Sequence, residues 1–195
     1  MAATTTRLVR VLALGLLLAA PPLARADALD PRLEAATQLY REEGAEKALP
    51  VFDQLASEFA RGSRTHDQAA ALHYVGECHW RLGNFADARR FLERALTLER
   101  AAGARLSEGK TLNVLGLLSW DEGNYDAAIA NFRQAGEIAR AAGDRKLEGS
   151  SLNNLSLVYD EQGEYDTSLK QYRQVLELYR EADFPRGLGD TLGNI

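Results

Sequence analysis

The chain has 195 residues, 46% of them hydrophobic and 26% charged, which is the composition of a folded protein and excludes a disordered one. A formal net charge of −5 argues against nucleic acid as the principal partner. The length predicts one domain of ordinary size, and only five prolines interrupt it, so long helices are possible.

The first predicted element stands apart from the fold. Arg7 and Arg10 precede the apolar run Val11 to Ala20, and the segment then ends in Ala24-Arg25-Ala26. A basic start, a short apolar core and an A-x-A site are the order of a secretory signal peptide over residues 1–26, cut between Ala26 and Asp27. The apolar core is too short to serve as a permanent membrane anchor. Cleavage removes Arg7, Arg10 and Arg25 and no acid, which takes the mature charge to −8. The expected location is exported, periplasmic or secreted, with membrane contact only through the transient leader or a domain outside this chain. Cys78 is the single cysteine, so an internal disulfide is excluded and stability must come from packing.

Beyond the leader the sequence repeats every forty residues without a gap. Leu72, Leu112, Leu152 and Leu192 form one column, and Val75, Leu115, Leu155 and Ile195 another. Gly83-Asn84-Phe85 recurs as Gly123-Asn124-Tyr125 and Gly163-Glu164-Tyr165. Each block predicts two helices. In the block 105–144, the first carries Leu112, Leu115, Gly116 and Leu118. The second shows one apolar stripe of Tyr125, Ala128, Ile129, Phe132, Ala135, Ile138 and Ala139. Gly123 is expected to stop the first helix, and Gly103 the helix before it. Thr65 with Gln68 predicts a capping box at the start of the second block. Small residues, Gly76 and Gly116 on first helices and Ala88, Ala128 and Ser168 on second helices, predict a close approach of each pair. The first block is degenerate. Gly44 is displaced by one position, and Pro50 lies inside the expected second helix, predicting a kink or a later start.

Gly109-Lys110-Thr111 mimics the end of a phosphate-binding loop. Five residues separate Gly103 from Gly109 where the loop requires four, and no strand precedes it. Gly109 shares its column with Gly149 and Gly189, so these glycines read as punctuation of the repeat and not as a nucleotide site.

The series Leu112, Leu115-Gly116, Gly123, Tyr125, Ala128, Phe132 and Ala135 resembles the tetratricopeptide repeat, and the resemblance runs over essentially all of residues 34–195. The period of forty, against about 34 for the common form, is similar to the MalT-like and kinesin-light-chain-like subclass. The resemblance implies an all-α fold, a right-handed α-solenoid of antiparallel helix pairs. Its units would be a degenerate repeat in 27–64, repeats at 65–104, 105–144 and 145–184, and the start of another at 185–195. Such arrays normally end on a polar face. An opened fifth repeat at Arg186 to Ile195 leads us to expect a piece of a longer protein.

In that family the first helix of each repeat lines a concave groove at five positions on one face. Carried over by column, these are Ala70, Lys110, Ser150 and Asp190; His73, Asn113, Asn153 and Gly193; Glu77, Leu117 and Leu157; Trp80, Trp120 and Asp160; and Arg81, Asp121 and Glu161. The candidate partner-binding residues among them are His73, Trp80, Arg81, Lys110, Asn113, Trp120 and Asn153. A carboxamide offers donor and acceptor together, which suits an extended peptide backbone. Tryptophan offers a large rigid surface of the kind that dominates hot spots, although packing between repeats is an equal reading of both. Asn154 and Asn194 read as inter-repeat or solvated residues. Few groove columns hold Lys or Arg, which argues against a clamp for terminal carboxylates.

Metal and cofactor chemistry find no support. In "HYVGECH", His73 and Cys78 point roughly 140° apart on a helix and His79 elsewhere again. There is no nucleophile elbow and no HExxH, so the segment is not expected to be an enzyme. The function expected is that of an exported scaffold binding a protein or peptide partner. The alternative is a sensory or regulatory region of a larger enzyme, because exported forty-residue arrays of this look resemble those preceding CHAT-type proteases and repeat-containing sensor kinases.

Overall fold

The computed structural model describes residues 29–195; the segment 1–26 and the expected cut between Ala26 and Asp27 lie outside the described residues. The described residues form nine helices and no strand: α1 (Pro31–Glu43), α2 (Ala45–Arg61), α3 (Thr65–Arg81), α4 (Phe85–Ala101), α5 (Arg105–Asp121), α6 (Tyr125–Ala142), α7 (Arg145–Glu161), α8 (Tyr165–Glu181) and α9 (Pro185–Gly193). None of these helices is long and apolar enough to cross a membrane.

The helices end where the backbone turns left-handed, once every twenty residues. Gly83, Gly103, Gly123, Gly143 and Gly163 all carry positive φ, and Ser63 and Asp183 hold the same conformation without glycine. At Gly123 the turn closes with its own N–H on the Trp120 carbonyl at 2.8 Å and Asn124 N–H on the Ser119 carbonyl at 2.8 Å. These bonds satisfy carbonyls that the helix end would otherwise orphan. At the starts, Asn124 accepts from the Ala127 N–H and Asp144 from the Leu147 N–H.

Two local expectations are corrected. Thr65 is the first helical residue of α3 and forms no capping box, because Arg64 occupies the cap position and its side chain bonds no backbone N–H of the helix. In its place Asp67, buried in the first turn, accepts from Arg64 Nε at 2.7 Å and from the Asp30 N–H at 2.7 Å, tying α3 to the start of α1. Nor does Pro50 delay α2. The helix begins at Ala45 and runs through the proline, forgoing the one backbone bond that the missing N–H would have made.

Each helix packs on the next, and the odd helices α3, α5 and α7 also touch one another. That is why α5 is buried on several sides, through Leu112, Val114, Leu115 and Leu118, whereas α4 and α8 bury a single stripe. The core is segmented. One cluster centres on Phe52, Phe59, Leu72, Val75 and Cys78, the next on Leu92, Leu112, Leu115 and Ile138, and the last on Phe132, Leu155 and Val158. Cys78 is fully enclosed in the first, and burial pushes its thiol up to about 12.

The close approaches are real. A Cβ on Gly76 would stand 2.6 Å from Leu92 Cγ, and one on Gly116 would enter the Phe132 ring. Gly109 and Gly149 are not punctuation between helices. They lie inside α5 and α7, pressed on Ile138 and on the Tyr179 ring.

Candidate functional site

Odd helices also touch odd helices, as α3 with α5 and α5 with α7, while among the described residues no even pair packs comparably. The odd row is therefore the tighter, inner side of the stack. All seven candidate residues sit on it, on α3, α5 and α7.

Most of their polar atoms are engaged with the following repeat, and at a constant offset. Trp80 Nε1–H donates to Asp121 Oδ2 at 2.6 Å, and Trp120 Nε1–H donates to Glu161 Oε2 at 2.8 Å. Asn154 Nδ2–H donates to Asn113 Oδ1 at 3.3 Å, and Asn194 Nδ2–H to Asn153 Oδ1 at 3.3 Å. Each pair is 41 residues apart. Neighbouring odd helices lie side by side in register, so a residue meets the position one step beyond its own equivalent. The two tryptophans also pack their rings against core clusters. They are at once inter-repeat residues and half-exposed groove residues.

His73 is drawn inward. Its Nδ1 lies 2.9 Å from Thr111 Oγ1, and Thr111 donates its own hydroxyl to Glu99 Oε1 at 2.9 Å. With that single proton directed to Glu99, the His73 Nδ1–H is the donor to the threonine oxygen. Burial lowers the affinity of His73 for a second proton, although Glu77 stands 3.8 Å from its Nε2. Glu99 is 2% exposed and its Oε2 has no partner, and burial raises its carboxyl to about 7. Tyr40 donates to Glu77 at 2.8 Å, so a polar chain runs from the groove edge into the core.

Arg81 is exposed and lies over the Trp80 ring, 5.1 Å from its centroid, with one nitrogen 3.5 Å from Glu77. Lys110 is exposed and makes no ion pair among the described residues. The structure thus joins Trp80 with Arg81, Asn113 with Asn154, and His73 with Thr111, and it leaves Lys110 alone. The tempting triplet is dispersed. His73 faces Thr111, Cys78 faces the core, and His79 stacks on Phe91 at 5.4 Å.

A family model described as tetratricopeptide repeat matches residues 107–181, and a second of the same description matches residues 69–102, together more than half of the chain. The chain belongs to the tetratricopeptide-repeat family. No curated protein matches it. Among solved structures the tetratricopeptide array is similar to a Rap protein complexed with Competence and Sporulation Factor, with 14% identity, 89% of this chain and 48% of that chain covered, and a TM-score of 0.77. It is similar to a putative kinesin light chain with near-identical repeats from Podosopora anserina, at 15% identity over 77% and 74% of the two chains, TM-score 0.61. It is also similar to a signal-transduction ATPase with a tetratricopeptide repeat sensor from Pyrococcus horikoshii, at 19% identity over 82% of this chain and 25% of that chain, TM-score 0.68. At such identities the likeness shows the fold, an all-α repeat solenoid. The chain spans less than half of the Rap protein's length.

Sequence reasoning on this repeat array missed Asp121, Glu161 and Thr111 as partners of the groove residues, and Glu99 altogether. The first three were within reach of a comparison of columns offset by one or by two. The one available signal for Glu99 was that its column otherwise holds Phe59, Ala139 and Tyr179.

Proposed function

We propose that the chain is an exported scaffold that holds a segment of a protein or peptide partner along its inner helix row. One observation carries the reading. On α5 and α7 the positions Asn113, Leu117, Asn153 and Leu157 are only half-buried, while their neighbours Leu115, Leu118, Leu155 and Val158 are closed by packing. Two parallel rows of carboxamide and leucine result, one donating to backbone carbonyls and the other receiving apolar side chains. Each asparagine oxygen is engaged by the next repeat, which fixes the carboxamide and keeps its N–H₂ group for a guest. The similar Rap protein, complexed with a factor, supports this use of the fold.

Panning a random-peptide phage library against the protein tests it. Selected peptides should lose binding to the Leu117→Glu, Leu157→Glu double variant and keep it for Lys170→Glu on the outer row. Equal binding to all three would sink the groove reading. Export rests on the leader-like residues 1–26, and N-terminal sequencing of the native protein should begin at Asp27; a start at Met1 would refute it.

A second reading, a sensory region of a larger protein, is supported by the similar ATPase in which such repeats form the sensor. A protease or kinase context belongs to that reading, and the intact mass of the native protein decides between them.

A further inference from the structure

The column next to the tryptophans changes sign along the stack. It reads Arg41, Arg81, Asp121, Glu161, so the edge of the inner row is basic toward α1 and acidic toward α7. The tryptophan column beside it reads Tyr40, Trp80, Trp120, Asp160.

At Trp80 the chain supplies its own cation. The Arg81 guanidinium lies over that ring, and Asp121 accepts the indole N–H at 2.6 Å on the same edge. One repeat on, the indole is held in the same manner by Glu161, but the arginine column now holds Asp121. Among the described residues neither Asp121 nor Glu161 makes an ion pair, and both are exposed. Tyr125 packs with Trp120 on the same core cluster. The nearby Glu161 carboxylate makes the Tyr125 hydroxyl hold the phenolic proton more tightly than usual. Two aromatic rings and the Glu161 carboxylate therefore lie together on the groove edge, with Asp121 next to Trp120 in the chain, and no cation among the described residues neutralises either acid. An aromatic face beside carboxylates attracts a desolvated cation.

We propose that Trp120, Tyr125, Asp121 and Glu161 receive a cationic side chain, an arginine or lysine, of the partner segment held in the groove. The Trp80–Arg81 pair is the intramolecular form of the same contact. The charge order along the edge then orients the guest, basic end over α5 to α7. This site rests on the groove-binding reading.

The test uses the two indole N–H signals in NMR spectra of the ¹⁵N-labelled protein, assigned with Trp80→Phe. Titration with a short arginine-containing peptide should shift the Trp120 signal saturably and by more than the Trp80 signal, whose indole N–H shares Asp121. The isosteric citrulline peptide should shift neither. Asp121→Asn with Glu161→Gln keeps both indole acceptors and removes both charges; it should weaken the arginine peptide roughly five- to twentyfold. Arg81→Ala should enlarge the Trp80 response toward that of Trp120. An unresponsive Trp120 signal, or an equal response to citrulline, overturns the proposal. If library peptides still lose binding with the Leu117, Leu157 variant, that result removes the cation site alone and leaves the groove reading standing.

Discussion

Thr111 on α5 donates its hydroxyl to Oε1 of Glu99 on α4 at 2.9 Å, and the other oxygen of that buried carboxylate is bonded to nothing. The other repeats enclose their equivalents of Glu99 as Phe59, Ala139 and Tyr179. An acid thus occupies a core position with one hydrogen bond where it could accept several.

The consequence is a stability that depends on pH. Burial raises Glu99 from 4.5 to about 7, so the folded state binds a proton there that the unfolded chain has released. Stability is therefore lost as pH rises from about 4.5 to 7, by about 3 kcal/mol from this group. His73 opposes it, because its lowered affinity removes stability as pH falls below 6.5. Glu99→Gln, compared with wild type by urea unfolding at pH 5 and pH 8, should stabilise the protein at pH 8 and not at pH 5. Equal effects at both would show that Glu99 titrates normally.

Three glycines of one column should respond differently to alanine. On Gly149 a Cβ would enter the Tyr179 ring, on Gly109 it would meet Ile138 at 3.0 Å, and on Gly189 it would meet nothing within 4 Å. Gly149→Ala should cost about 1–3 kcal/mol through overpacking, and Gly109→Ala less. Gly189→Ala should raise stability by roughly 0.5–1 kcal/mol, since alanine favours the helix. Thermal unfolding of the three variants measures the order, and a destabilised Gly189→Ala would contradict the packing described.

Two buried acids are held by exposed arginines. Glu108 is gripped by Arg100 and Arg105, and Glu148 by Arg140 at 2.7 Å and Arg145 at 3.0 Å. The asymmetry of burial predicts an asymmetry of effect. Removing Arg140 and Arg145 together strands a charge that is 3% exposed and should cost about 3 kcal/mol. Glu148→Gln leaves only solvated arginines and should cost about 1 kcal/mol. Denaturant unfolding of both variants checks the ratio, and the reverse order would show that the arginines do not compensate Glu148.

Much of this molecule was legible as a column pattern. Leu112, Gly116, Ala128 and Phe132 recur because each repeat buries the same faces against its neighbours, so a forty-residue period already specifies paired helices and their close contacts. Gly123 and its equivalents were legible because a left-handed turn selects glycine locally.

Tertiary structure alone decided what the groove residues do. Asn113 and Trp120 could be placed on one face by helical geometry, but only the packing of helix on helix sets the offset of 41 that gives them Asn154 and Glu161 as partners. Thr65 failed as a cap because α3 already begins at it, with the Gln68 N–H that it would have bonded donating to the Arg64 carbonyl at 2.9 Å. Only its column, with Phe59, Ala139 and Tyr179, hints at the burial of Glu99, since a carboxylate on an amphipathic helix reads as solvated until a neighbour covers it. Periodicity records which faces are buried. Register between repeats and the desolvation of single polar atoms are properties of the stack, and they exist only once it has formed.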